Sequence, residues 1–514
     1  MLLTRELLSS ISPRRDVRIP DPSFFDLPVK VIQFGEGRFI RAFLDYFIEI
    51  ANHHHLFNGR VVVIQPQQTE NTALINAQNG LFTLCARGLT KGLQRQEFTL
   101  ISSIKEAFAA KTDWLKILSL AERPSVEFIV SNTTEAGLVY NRADLPENNP
   151  PASFPGKVLS FLYRRFQFFD GNPKHGLKIL PLELIENNGM VLRDIILKLA
   201  RSWELGDKFI QWLETSNRFY NSIVDRIVTG YPAEKDLKEF QKVLGYEDKL
   251  FDVAELYHSW IIEAADSLQT KIPFDRAGLN VEFVSDLTTY FQRKVRILNG
   301  AHTSMTPIAY LSGKNFVKES IEDPNIQGFV TNLLEKEVIP FINLPAAELI
   351  AYKDIIFERF HNPFIEHKLL NITLYSTSKM RLRLLPSIIA YYKRFQSAPL
   401  FSLFAFAAFL TFMRIREHVG SKWSGQRGSE HYEYSDSPES LQIFHNAWNS
   451  INPSKSEDLH RLVSSLSQNP GLWNVDLSQL PGFVSIVTSH LEKILHLGMV
   501  SALQQFLAQQ KIRV

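Results

Sequence analysis

The chain of 514 residues is too long for one hydrophobic core, so at least two domains are expected. Its 56 Lys+Arg against 54 Asp+Glu leave a net charge of +2, which gives no electrostatic footprint for nucleic acid or an anionic membrane. A single cysteine, Cys85, excludes an internal disulfide and a cysteine-rich metal site and fits a reducing, cytoplasmic setting.

The N-terminal Met1-Leu-Leu-Thr-Arg-Glu6 has charge at positions 5 and 6 and no long apolar run, so no secretion signal is expected. Residues 29–34, Val-Lys-Val-Ile-Gln-Phe, read as a short buried strand, followed by Gly35-Glu-Gly37-Arg-Phe-Ile-Arg41 and a helical pattern over 42–51. In that setting a first glycine permits a tight turn, and a second lets backbone approach a pyrophosphate at the helix N-terminus. Phe34, Gly35, Gly37, Arg38 and Phe39 are therefore candidate cofactor contacts. The third glycine position falls on Ile40, so the fingerprint is incomplete, and a plain strand-to-helix turn accounts for two glycines equally well. The next strand, residues 60–64, ends in Gln65-Pro66-Gln67-Gln68. It lacks the acid that ordinarily takes the adenosine ribose; Glu70 is the nearest, and no Arg or Lys stands ready for a 2′-phosphate. The cofactor is read as NAD, with NADP left open. His53-His54-His55 is read as a loop, because consecutive side chains diverge too far to share a metal.

Extended runs between Leu81 and Ile104 suggest further strands, and Val126-Glu-Phe-Ile-Val130 is another buried one. It leads into Ser131-Asn-Thr-Thr-Glu-Ala-Gly137, a polar loop at a strand's carboxyl end, where an open α/β sheet places ligands. Asn132, Thr134 and Glu135 are candidate cofactor contacts, with a helix N-cap as the plainer reading. Leu177-Lys-Ile-Leu-Pro181 is again a strand, followed by a polar stretch ending Asn188-Gly189 and a helix over 191–203. Asn188 could aim its amide into a cleft or simply form an Asn-Gly turn. Val224-Asp225-Arg226-Ile-Val-Thr-Gly230 reads as strand-like, and helices with polar connections are expected over 233–270. Pro273-Phe-Asp-Arg-Ala-Gly278 is read as the linker, giving domains 1–275 and 276–514.

Beyond it, amphipathic helices dominate at 326–336, 346–357 and 384–395, with loops at Arg359-Phe-His-Asn-Pro363 and over 420–438. The apolar stretch 398–413 is shorter than the roughly 20 residues that span a bilayer; it is read as a buried core helix of a soluble protein without a membrane partner. The stretch richest in chemistry is Lys294-Val-Arg-Ile-Leu-Asn299-Gly-Ala-His302. Burial among Val295, Ile297 and Leu298 would lower the lysine pKa and suit it to acid/base work. On a helix, Asn299 and His302 are i,i+3 neighbours. A helix start with a surface lysine and a satisfied histidine is the bland alternative.

These blocks resemble, in order and over nearly the whole chain, the mannitol dehydrogenase family of long-chain polyol and sugar-acid dehydrogenases. The carriers are residues 33–42, 131–137, 180–184 with Asn188-Gly189, 224–232, 294–302 and 359–363; Lys294, Asn299 and His302 match the family's K-x4-N-x2-H signature. The resemblance implies an α/β, Rossmann-type NAD-binding N-terminal domain and a mainly α-helical C-terminal substrate and catalytic domain. It places the active site in the cleft between them and implies no metal. It makes Lys294 the general acid/base with His302 hydrogen-bonded nearby, and has Asn299 and Asn188 polarise the carbonyl oxygen. Asp225 and Lys379 match positions that contact substrate in polyol-using relatives. Those relatives carry an arginine and a histidine where this chain has Asn371 and Leu374, so a plain hexitol is not the expected substrate. The implied reaction is NAD-dependent interconversion of tagaturonate and altronate, with fructuronate or another ketose or polyol as the alternative. The substrate carboxylate needs a cation: Lys379 first, then Arg381 or Arg383, although a basic cluster can equally be a solvated helix face. A Schiff-base lysine enzyme and a non-catalytic sugar-binding protein are the other classes, and the oligomeric state is left open.

Overall fold

The computed structural model describes residues 1–8, 10–11, 16–66, 71–133, 137–420 and 422–511. The chain forms two compact units, Met1–Tyr290 and Phe291–Val514. The first is built on a six-stranded parallel sheet whose strands are β1 (Val29–Phe34), β2 (Arg60–Gln65), β3 (Ile104–Ala109), β4 (Phe128–Ser131), β5 (Lys178–Pro181) and β6 (Arg218–Phe219). Their spatial order is β3-β2-β1-β4-β5-β6, every neighbouring pair parallel. That is the doubly wound order of dinucleotide-binding folds, with its switch point between β1 and β4.

The inner strands are mostly apolar on both faces because both are covered. Val31, Val61, Val63, Phe128, Val130 and Leu180 join Ile40, Phe43 and Phe47 of helix α1 (38–53). The alternate residues Ile32, Phe34, Val62, Ile64, Ile129 and Ile179 join α2 (Ala110–Leu120), α3 (Phe154–Phe168) and α4 (Asn188–Ser202). Sorting by odd and even position is the period-2 signature of a strand.

Two further sheets complete this unit. Strands Phe82–Thr90 and Leu93–Ile101 form an antiparallel hairpin, extended by Asp252–Ala254 and Val228–Gly230. Ser222–Asp225, Ser259–Glu263 and Val281–Val284 make a three-stranded sheet. The stretch 233–270 is thus only partly helical, in Glu234–Leu244 and Leu268–Lys271. Beyond the 273–278 turn, Val281–Val284 pairs with Ser259–Glu263 within the first unit.

The second unit is mainly helical. Helix α5 (288–311) begins in the last residues of the first unit and continues into the second, whose centre is α6, Leu400–Phe412. α6 is apolar all round, as a helix surrounded by protein should be. Phe401, Phe404, Phe406, Phe409 and Phe412 are all buried there, each contributing on the order of 1.5–3 kcal/mol. The buried Glu337 carboxylate accepts the Phe401 and Ser402 backbone N–H groups at 2.9 and 2.7 Å and caps α6. The polar stretch 420–438, expected as a loop, instead carries the strands Lys422–Arg427 and Glu430–Glu433, paired antiparallel, with Glu417–Val419 beside them.

Candidate active site

In the first unit the candidate ligand site is made of strand ends. Gly35 turns out of β1 at φ 116°, and a Cβ there would lie 2.8 Å from the Asn132 carbonyl oxygen. Only glycine tolerates both the angle and the approach. The Gly35 N–H donates to Ile64 O and the Asn132 N–H to Phe34 O, each at 3.0 Å, so the ends of β1, β2 and β4 are laced together at the switch point. A Cβ on Gly37 would meet nothing within 4 Å, which leaves open space at the start of α1. Arg38 is exposed and Phe39 stacks on Phe43 at 5.1 Å, while Phe34 is buried edge-on to Phe154. Thr134 and Glu135, like Gln67, Gln68 and Glu70, lie outside the described residues.

An acid that the sequence pattern did not offer stands at the end of β2. Glu36, between the two glycines, accepts from Gln65 Nε2 at 3.0 Å and Asn71 Nδ2 at 2.9 Å. The glycine turn thereby delivers the carboxylate that β2 itself lacks.

The Leu180–Leu184 motif also finds a physical role. Glu183 is buried; its carboxylate accepts Thr133 N at 2.8 Å, Thr133 Oγ1 at 2.9 Å and Ser131 Oγ at 3.1 Å, which pins the loop after β4. Asn188 is fully buried, and its Nδ2 donates to the carbonyls of Pro181, Glu183 and Ser222 at 2.9, 3.0 and 3.0 Å. Its Oδ1 accepts the N–H groups of Gly189 and Ser222. An amide engaged on this scale has no donor left for a substrate oxygen, so in this geometry Asn188 acts as a strut. The exposed amide at this strand end belongs to Asn187, held at φ 55°. Asp225 is half-buried at the end of its strand, opposite Ser259. Its neighbour Arg226 is buried and structural, donating to Ala42 O and Glu255 O.

In the second unit the candidates are side chains on α5. The segment Lys294–Asn299 has π geometry, between α-helical Thr288–Arg293 and Gly300–Leu311. At about 100° per residue an α-helix would set Lys294 and Asn299 roughly 140° apart. Hydrogen bonding from i to i+5 instead brings the residue five on over the first. With His302 one α turn further, lysine, amide and imidazole come to one side. Lys294 and Asn299 are half-buried and His302 is 7% exposed.

His302 stacks on Phe360 with centroids 4.3 Å apart, which gives the Arg359–Pro363 motif its place, and meets His367 edge-on at 5.0 Å. Its Nε2 is buried without a hydrogen-bond partner among the described residues. Burial first, then the nearby His367, Arg359, Arg383 and Lys379, hold its pKa well below the ordinary value, so the ring is neutral. His367 is lowered in the same way. Lys379 donates to Ile372 O at 2.8 Å, and burial reinforced by Arg383 brings its pKa down to about 8.

Two family models match the chain in succession: the mannitol dehydrogenase Rossmann domain over residues 29–276 and the mannitol dehydrogenase C-terminal domain over 286–495. An altronate oxidoreductase of Bacillus subtilis (strain 168) is 39% identical over 482 residues, which is 94% of this chain and 96% of that one. The altronate oxidoreductase of Yersinia enterocolitica is 37% identical over 480 residues, 93% of this chain and 97% of its own. Among solved structures, D-sorbitol dehydrogenase in substrate-free form superposes with a TM-score of 0.80 at 23% identity, covering 98% of this chain and all of that one. Pseudomonas fluorescens mannitol 2-dehydrogenase, in ternary complex with NAD and D-mannitol, gives 0.71 at 19% identity, with 99% and 100% coverage. With both family models matched and relatives alike over almost their full length, the chain belongs to the mannitol dehydrogenase family.

Proposed function

We propose that the chain is an NAD-dependent oxidoreductase that interconverts D-tagaturonate and D-altronate. The observation that carries this reading is the likeness to altronate oxidoreductases over more than nine-tenths of both chains. The strand-end site fits a dinucleotide. Gly35 and the open space at Gly37 admit a pyrophosphate at the start of α1, and Asn132 closes the other side of the switch point. Glu36 takes the ribose hydroxyls, and its charge works against a 2′-phosphate, which favours NAD over NADP. Phe34, Arg38 and Phe39 belong to the same strand-end site.

The bound nicotinamide would supply the hydride as NADH in reduction and accept it as NAD in oxidation. Lys294 gives the proton to the ketone oxygen in reduction and takes it back in oxidation. The half-buried Asn299 amide donates to that oxygen as charge develops, a contribution on the order of 3 kcal/mol for a well-placed donor. His302, neutral and fixed against Phe360, accepts without competing for the proton. Asn188 holds the β5 loop, and Asp225 and Lys379 meet substrate hydroxyls. Oxidation of NADH and NADPH by the full chain, offered tagaturonate, fructuronate and fructose, tests the reading. Tagaturonate with NADH should be preferred, and preference for fructose would overturn it.

A further inference from the structure

The basic cluster near His302 is not evenly occupied. Gly300, one residue after Asn299, lies close to the turn that follows Lys379: a Cβ on it would be 3.6 Å from the Arg383 carbonyl oxygen. That turn, Met380–Leu384, also has π geometry. Arg359, Lys379 and Arg383 all act on the neutral His302, so three cations share one region with two uncharged imidazoles. The acid that acts on Lys379 is Asp436, and its oxygens already accept Thr377 N, Thr377 Oγ1 and Ser437 N.

The three basic residues of 379–383 differ in what they hold. Lys379 is bonded to Ile372 O. Arg381 reaches Leu472 O at 3.3 Å and Asn474 Oδ1 at 3.4 Å. Arg383 is half-buried, yet among the described residues it forms no hydrogen bond or ion pair, and burial alone acts on it, with no carboxylate to offset the loss of water. A desolvated guanidinium without a counter-ion is unfavourable, and an anion brought by the ligand relieves it. The planar fork of Arg matches a carboxylate with two parallel N–H···O bonds, which a lysine cannot reproduce. The Nε2 of His302, buried and without a hydrogen-bond partner among the described residues, lies in the same cluster and is suited to a substrate hydroxyl.

We propose that Arg383 anchors the carboxylate of the substrate and so selects a keto-sugar acid over the neutral ketose of the same skeleton. The proposal rests on the sugar-acid reading above. It is tested in the full chain with NADH, comparing kcat/KM for D-tagaturonate and for D-tagatose, which has a hydroxymethyl group in place of the carboxylate. In Arg383→Ala the preference for the acid should fall roughly 10- to 100-fold, mainly through KM, as expected for loss of a charged hydrogen bond. Arg383→Lys should recover part of it, and the NADH Kd from fluorescence titration should not move. An unchanged preference in Arg383→Ala with intact NADH binding overturns the proposal; should that variant not fold, Arg383→Lys and Arg383→Gln carry the same comparison. A wild-type enzyme that does not favour the acid overturns the substrate reading instead. Arg383 is then judged by D-altronate titration of the enzyme–NADH complex, where an unchanged Kd in Arg383→Ala rejects the anchor and a weakened one supports it.

Discussion

The first unit offers its candidate ligand site mostly as backbone, whereas the second offers candidate side chains on helices. Around Gly35 the working parts are N–H groups, a carbonyl oxygen and vacant space, held by β1, β2 and β4. Around His302 they are a lysine, an amide, imidazoles and guanidiniums. A backbone site is damaged by adding atoms and a side-chain site by removing them. The two should therefore fail in opposite ways: one in cofactor affinity, the other in turnover or substrate choice.

The largest expected effect comes from removing the proposed proton donor. Lys294→Ala should lower kcat by on the order of 10²–10⁴-fold, with the NADH Kd measured by fluorescence nearly unchanged; near-wild-type turnover would sink the assignment. The converse experiment adds one methyl group. Gly35→Ala forces a Cβ against Asn132 O at a left-handed φ, and should weaken NADH binding at least about tenfold while destabilising the fold by roughly 1–3 kcal/mol in urea. Tight NADH binding by that variant would break the contrast.

These expectations depend on features of unequal visibility in the sequence. Four of the parallel strands, β1, β2, β4 and β5, announce themselves as apolar runs because a sheet covered on both faces needs nothing else, whereas β3 is broken by Lys105 and Glu106. The sixth, Arg218–Phe219, is too short to carry a pattern. Asp252–Ala254 and Ser259–Glu263 were hidden among polar connections because each is fixed by partners far away in sequence. As candidates, Lys294, Asn299 and His302 were legible through spacing and family likeness. The role of Asn188 was not, since an amide tied to three carbonyls and one poised for a ligand look alike in sequence. Glu36 was missed for a similar reason: the expected acid belongs to the end of β2, and here it arrives from the preceding turn.

Glu36 supplies a finer test of the backbone site. Glu36→Ala should weaken NADH binding about tenfold and leave NADPH binding unchanged or improved, read by parallel titrations. Equal losses for both nucleotides would remove Glu36 from the ribose.

The smallest expected effect concerns the scaffold of the second unit. Burial raises the Glu337 pKa from 4.5 to about 7. Between those values the folded chain binds more protons than the unfolded one, so this group's stabilisation is complete below pH 4.5 and is lost as pH rises through 7. One such group contributes a slope of at most about 1.4 kcal/mol per pH unit. Urea unfolding across that window should be less pH-dependent in Glu337→Gln, and an unaltered slope would show that Glu337 does not titrate there.

The π turn at Lys294–Asn299 changes what a motif records. A spacing of K-x4-N-x2-H specifies distance along the chain, but the angular relation of the three groups is set by helix pitch. The same letters on an uninterrupted α-helix would point the lysine away from the amide. Here pitch belongs to the signature as much as residue identity does, and a scaffold that copied the letters without the wide turn would inherit the residues without their convergence.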